Sequence, residues 1–228
     1  MSELSRPASL YRFSVLGTAA VRMWRAWRIL VPVVAVNAFV QALLVIPGIL
    51  PGPTPVFVLG ALASFAVLVV SFGAVAAAML DAVESQEDLR SVMSSLRRRG
   101  WPLMAWSLGL VTLVTVGLSL YVVPGLIVLA VTPYLLLAVV DGRSRPLVVN
   151  FRVIGARWWR WAITVVVMAV LCLVLWLLAL IDGFFVGGPL GSFVGWLGLG
   201  LVASWFVCTW ALLYRTVLPA GRSPLQVG

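Results

Sequence analysis

Asn37 and Gln41 are the polar residues of this sequence best placed to act inside an apolar environment. They stand four apart in the run ILVPVVAVNAFVQALLVI, so a helix puts both on one face. Such a pair can line a path for a polar solute, or it can be a hydrogen-bond pair that holds helices together. Thr112, Thr115 and Ser119 make a milder stripe of the same kind. Asp182, beside Gly183, falls at the outer end of an apolar run, where a carboxylate meets the interface. The acidic group Asp81, Glu84, Glu87 and Asp88 has the residue types of a metal site. Capping of a helix opened by Ser85, together with pairing to Arg90, Arg97 and Arg98, accounts for it more simply.

Familiar catalytic constellations are missing. The sequence has no histidine, which removes the commonest general base and metal ligand. It has no paired aspartates of a lipid phosphotransferase and no phosphate loop. Cys172 and Cys208 lie in separate apolar runs. In an antiparallel hairpin turning near Gly187 they would differ in depth by about 9 Å, too far for an easy disulfide. An enzyme is not expected, and neither is a cofactor or a bound metal.

The elements that carry these residues are membrane spans. Hydrophobic residues make up 63% of the 228 and charged residues 10%, against about a quarter charged in a soluble domain. Six all-α spans are expected, near 29–46, 56–80, 102–123, 126–140, 161–181 and 193–214. Pro47-Gly48, Pro124-Gly125 and the loop GFFVGGPLG turn the chain between them. The fourth run has only about 15 apolar positions, short for a hydrocarbon core of about 30 Å. A cleavable signal peptide is not expected, because no small-residue cleavage site follows the first apolar run.

The 16 basic residues are all arginine, the composition of a GC-rich bacterial genome. They lie before the first span, between the second and third, between the fourth and fifth, or after the sixth. The positive-inside rule then places both termini in the cytoplasm of a bacterium, with the chain in its plasma membrane. Trp24, Trp27, Trp101, Trp106, Trp158, Trp159 and Trp161 fall near the same side, as an interfacial aromatic belt does.

Three arginine-bearing amphipathic segments precede the hairpins. The first shows Leu10, Phe13, Leu16, Ala20 and Trp27 on one face. The second, ended by Gly100, shows Leu89, Val92, Met93 and Leu96. The third shows Leu147, Phe151, Ile154 and Trp158. Arg22 and Arg25, then Arg97, Arg98 and Arg99, then Arg152, Arg157 and Arg160 are the candidate contacts to anionic lipid or to another membrane protein. The net charge of +9 suits an acidic membrane surface better than nucleic acid, since the arginines flank apolar spans.

The plan of amphipathic helix, span, tight turn and span recurs over 8–83, 84–141 and 142–215, within one polytopic domain covering 1–228. Val45-Ile46-Pro47-Gly48-Ile49-Leu50 matches Val122-Val123-Pro124-Gly125-Leu126-Ile127, and the third copy keeps Gly188-Pro189-Leu190-Gly191. All three units start on the cytoplasmic side, so the copies are parallel rather than inverted.

The run PGLIVLAVTPYLLLAVVDG, then a basic segment with Gly155, then RWWRW, resembles a bacterial membrane family. This is the membrane domain that precedes the catalytic barrel in some glycerophosphodiester phosphodiesterases, together with its stand-alone relatives. The resemblance covers mainly 121–181. It implies a six-helix membrane module. Where that family tends to have serine in the basic helix, this chain has Asn150, and the sequence leaves no room for the barrel, so the phosphodiesterase activity is not carried over.

The leading expectation is a non-enzymatic membrane module, an accessory or scaffold subunit or one that binds anionic lipid. The alternative is a small transporter or lipid translocator, with a polar path near Asn37 and Gln41 and the short, Pro133-broken fourth span.

Overall fold

In lipid a backbone finds no water, so each apolar run must close its own hydrogen bonds, and a helix does this within the segment. The computed structural model describes residues 14–45, 54–83, 89–120, 122–185 and 187–218, and among them every regular element is an α-helix. In chain order these are α1 (Ser14–Arg25), α2 (Trp27–Val45), α3 (Pro55–Val83), α4 (Leu89–Leu120), α5 (Val122–Val131), α6 (Leu135–Val140), α7 (Pro146–Ala156), α8 (Trp158–Phe185) and α9 (Gly188–Val217). Six stretches are long and apolar enough to cross a membrane: Trp27–Leu44, Pro55–Leu80, Arg97–Leu120, Val123–Val140, Trp158–Leu175 and Gly188–Val217. The chain is therefore an all-helical, multi-pass membrane protein.

Proline opens the helices where its missing N–H costs nothing. Pro55 begins α3, Pro146 begins α7, and Pro189 is the second residue of α9. This corrects the expected turns. Pro124-Gly125 does not reverse the chain; both residues sit in the first turn of α5. Gly125 instead lets α5 close on α4. A Cβ on Gly117 would stand 2.8 Å from the Gly125 nitrogen and 2.9 Å from its Cα. The gain in helix also lengthens the fourth span to Val123–Val140, 18 residues or about 27 Å. Gly188-Pro189-Leu190-Gly191 is likewise the first turn of α9 rather than a loop. Pro47-Gly48 and Ser85 lie outside the described residues.

A second correction concerns Gly100, which was expected to end a separate amphipathic helix. α4 runs unbroken through Gly100 and Pro102, so segment and span are one helix of 32 residues. Arg98, whose carbonyl loses its partner to Pro102, is exposed, and water can take that bond. The other two junctions differ from this one and from each other. The chain turns at Ala26 between α1 and α2 with helical bonds on both sides, and it breaks at Arg157 between α7 and α8.

α1 is docked along the later part of α9. The indole N–H of Trp205 donates to the Leu16 carbonyl at 3.0 Å, and the Cys208 thiol donates to the Ala19 carbonyl at 3.4 Å. The face of α1 turned to the protein is Val15, Ala19 and Met23, whereas Ala20 and Trp27 of the apolar face read from the sequence are exposed. In α7 the buried face is Pro146, Val149, Asn150 and Val153, whereas Leu147, Phe151 and Trp158 point outward. The reason is shared by both helices. Small or β-branched residues let two helices approach, and the bulky ones are left for the surroundings.

The core sits towards one end of the bundle. Its main contributors are Ala74–Leu80 of α3, Leu137–Val140 of α6, and Phe206–Tyr214 of α9 with Leu103. The alanine run of α3 allows this close packing. Elsewhere less is buried: no residue of 55–68 in α3 is buried, and Thr164 is the one buried residue of the Trp158–Leu175 stretch of α8.

Candidate functional site

The packed end of the bundle holds an arginine cluster closed on Asp141. The cluster begins with the end of α6. The N–H of Gly142 bonds the Val139 carbonyl and that of Arg143 bonds the Ala138 carbonyl, both at 3.0 Å, which is a Schellman cap. The cap requires Gly142 to take a left-handed φ of 75°. It turns Asp141 and Arg143 towards α9 and leaves Gly142 without a side chain. Into that space comes Arg99 of α4, whose guanidinium occupies the position a Cβ on Gly142 would need and donates to the Val140 carbonyl. That carbonyl belongs to the negative end of α6, which favours a cation.

Both oxygens of Asp141 are engaged. Oδ2 accepts from Arg143 Nε at 2.7 Å and from the Tyr214 hydroxyl at 2.8 Å; Oδ1 accepts from Arg215 at 2.9 Å. Tyr214 is fully buried, and the side chains of Asp141 and Arg215 are 12% and 10% exposed. Burial alone would raise the Asp141 pKa. The hydrogen bonds from Arg143 and Tyr214, with the charges on Arg215 and Arg143, outweigh it and hold the carboxyl below its ordinary value. The cluster thus ties the α6–α7 turn to the end of α9, 73 residues away, and to α4.

Beside it lies the break in the fourth span. In an unbroken helix the N–H groups of residues 133, 134 and 135 would bond the carbonyls of 129, 130 and 131. Pro133 has no N–H, and four of the groups freed by the break find substitutes. The buried Asn150 accepts from the Tyr134 N–H at 3.0 Å and donates to the Val131 carbonyl at 2.7 Å. Trp161 donates its indole N–H to the Ala130 carbonyl at 2.8 Å. The Leu135 N–H turns to the Thr132 carbonyl at 3.2 Å. Asn150 and Trp161 come from α7 and α8, so these two helices are positioned by the break they close.

Asn37 and Gln41 do not bond each other. Gln41 clamps α2 to α3: Ser64 Oγ donates to its Oε1 at 2.8 Å, and its Nε2 donates to the Ser64 carbonyl at 3.4 Å. Asn37 is buried with Oδ1 unmatched. Thr112, Thr115 and Ser119 are exposed, and the Ser119 hydroxyl is satisfied by the Thr115 carbonyl at 2.8 Å.

The candidate arginines divide into two sets. Arg25, Arg97, Arg98, Arg152 and Arg157 are exposed. Arg22, Arg99 and Arg160 are half-buried, and Arg99 is committed to the cluster on Asp141. Arg143, Tyr214 and Arg215 were not among the expected site residues. The available signal was Asp141-Gly142-Arg143 at one span's exit and Tyr214-Arg215 at another's, but nothing in the sequence pairs the two. Cys172 is exposed and Cys208 buried, and they are not joined. Among the described residues no three His, Cys, Asp or Glu side chains gather as metal ligands do. The side chains of Asp81 and Asp182, and residues Glu84, Glu87 and Asp88, lie outside what is described.

No family model, curated protein or solved structure matches this chain.

Proposed function

We propose that this protein is a non-enzymatic module of a bacterial plasma membrane that binds anionic lipid through its arginine-rich end, with both termini on the cytoplasmic side. The observation that carries this reading is the composition of that end. Arg97 and Arg98 are exposed on α4 immediately before Trp101, which is 84% exposed. Arg152 and Arg157 are exposed on α7 beside Leu147, Phe151 and Trp158, all turned away from the core. Arg25 is exposed next to Trp24. Guanidiniums flanked by outward tryptophans and apolar side chains suit the headgroup layer, where charge and amphipathic rings are both stabilised. Each arginine near an acidic leaflet contributes about 1 kcal/mol.

In the same reading the chain is a stand-alone relative of the membrane domain found before the barrel of some glycerophosphodiester phosphodiesterases. Its units 8–83, 84–141 and 142–215 are parallel copies whose junctions have diverged. The test is thermal unfolding of purified protein in bilayer discs of neutral lipid and of neutral lipid mixed with phosphatidylglycerol. The anionic discs are expected to raise the melting temperature by several degrees. The gain should shrink near 1 M salt, where screening shortens to about 3 Å. The combined variant Arg97→Gln, Arg98→Gln, Arg152→Gln, Arg157→Gln should lose most of it. Equal melting temperatures in both lipids, for wild type and variant, would overturn the proposal.

A further inference from the structure

Arg99 differs from the other arginines of this end in what it holds. Its guanidinium lies over Gly142 and donates to a neutral backbone carbonyl, that of Val140. Arg143, the residue after that glycine, rests its Nε on Asp141. The Asp141 carboxylate is already shared by Arg143, Tyr214 and Arg215. Arg99 and Arg143 are therefore packed on one turn with a single, divided negative charge beside them. Neither is sealed in: Arg99 is half-buried, and the Arg143 side chain is 32% exposed. Both guanidiniums border the same turn, and an anion reaching both from outside would gain a charge-assisted partner from each. Gly142 itself is exposed, and Ser144, two residues on, is small and exposed, so the outer side of the turn is open. α7 starts at Pro146 without a side-chain cap, so its positive end opens towards the same turn.

We propose that Arg99 and Arg143, on either side of Gly142, form a site for a single phosphate group. A phosphate presents several oxygens to two planar forks at once, which a carboxylate already divided among three donors cannot do. The group is carried by a phospholipid headgroup or by free phosphate; both offer the same oxygens to this turn. The proposal rests on the membrane-module reading for the first source only.

The experiment is a titration of purified protein in neutral detergent, read by melting temperature and by native mass spectrometry. One arm uses inorganic phosphate against chloride at equal ionic strength; the other uses mixed micelles with phosphatidic acid, phosphatidylglycerol or phosphatidylcholine. A saturable rise in melting temperature is expected, with one phosphate-bearing molecule retained per chain. Arg99→Gln keeps a donor for the Val140 carbonyl but removes the charge, and it should weaken the half-saturation about tenfold, a change equal to about 1.4 kcal/mol. Arg143→Gln should do the same. Arg28→Gln, at an exposed arginine of α2 outside both the site and the four-arginine variant, should leave the half-saturation unchanged. Saturation in the lipid arm alone assigns the site to a headgroup, and saturation in both arms admits free phosphate. If neither arm saturates, or if Arg99→Gln and Arg143→Gln titrate like wild type, the site is refuted while the general lipid reading stands. If anionic discs give no gain but phosphate saturates through Arg99, the lipid reading fails and the site stands. Should either glutamine variant not fold, mass spectrometry of wild type decides, because the absence of any retained phosphate or phospholipid overturns the proposal.

Discussion

Asp141 shows how one carboxylate can be made to serve three elements. It ends α6, bonds Arg143 in the following turn, and receives Tyr214 and Arg215 from the end of α9. Removing its charge leaves these arginines facing each other across a buried tyrosine. Asp141→Asn is predicted to lower stability by about 2–4 kcal/mol, the order found when one partner of a largely buried ion pair is removed. The pH dependence has a definite sign. The folded carboxyl is held below its ordinary value of 3.8, so its stabilising contribution is complete above that value. It is lost as pH falls through the lower folded value. Melting temperatures in detergent, measured for wild type and Asp141→Asn from neutral pH to pH 3, should therefore converge at the acid end. A gap that stayed constant across that range would refute this account of the carboxylate.

Between helices, the break at Pro133 is the feature that organises its neighbours. A proline inside a span costs a backbone bond and frees carbonyls that lipid cannot satisfy. Here the repair comes from side chains of two other helices, so the broken span is also the joint where α5, α6, α7 and α8 meet. Asn150→Ala strands the Tyr134 N–H and the Val131 carbonyl together. The predicted loss is about 2–6 kcal/mol, taking about 1–3 kcal/mol for each of the two buried groups left unmatched. Asn150→Asp keeps the acceptor for Tyr134 but loses the donor to Val131, so it separates the two bonds. Thermal unfolding of both variants provides the check; an Asn150→Ala protein as stable as wild type would show that lipid or water supplies the bonds instead. The fully buried Asn150 was visible in the sequence only as a departure from a serine, with no sign that it spans a helix break.

Across the whole molecule, the two ends differ in packing and in charge. The alanine-rich part of α3, the end of α6 and the end of α9 make one dense end, and the Asp141 cluster lies on it. Residues 55–68 of α3 and the Trp158–Leu175 stretch of α8 have little buried surface. Lipid must then cover most of the outer apolar surface, which suits a membrane protein whose helices are tied together mainly at one side. If that side is cytoplasmic, a reporter that is active only outside the cytoplasm, fused after Gly228, should be silent, and one fused within 51–53 should be active. The reverse pattern would invert the orientation argued from the arginines.

Composition and apolar run length were enough to establish a six-span helical membrane protein, because a backbone in lipid has almost no alternative to a helix. The one-sided distribution of the arginines between the spans was legible for a similar reason: position along the chain is linear information. Local rules failed where a residue has two uses. Pro124-Gly125 signals a turn, yet proline also opens a helix and glycine also lets helices touch; the proximity of Gly117 decided between them. Gly100 signals a stop, but the helix continues through it into the span. The protein-facing sides of α1 and α7 were not legible in the sequence, because hydrophobicity alone does not say which apolar face meets protein and which meets lipid. Only the tertiary structure brought Arg99, Asp141, Arg143, Tyr214 and Arg215 together, and Asn150 and Trp161 to the Pro133 break. Apart from Arg143 on Asp141, these contacts join residues 16 to 74 positions apart, and such pairings depend on how the helices pack rather than on any local pattern of residues.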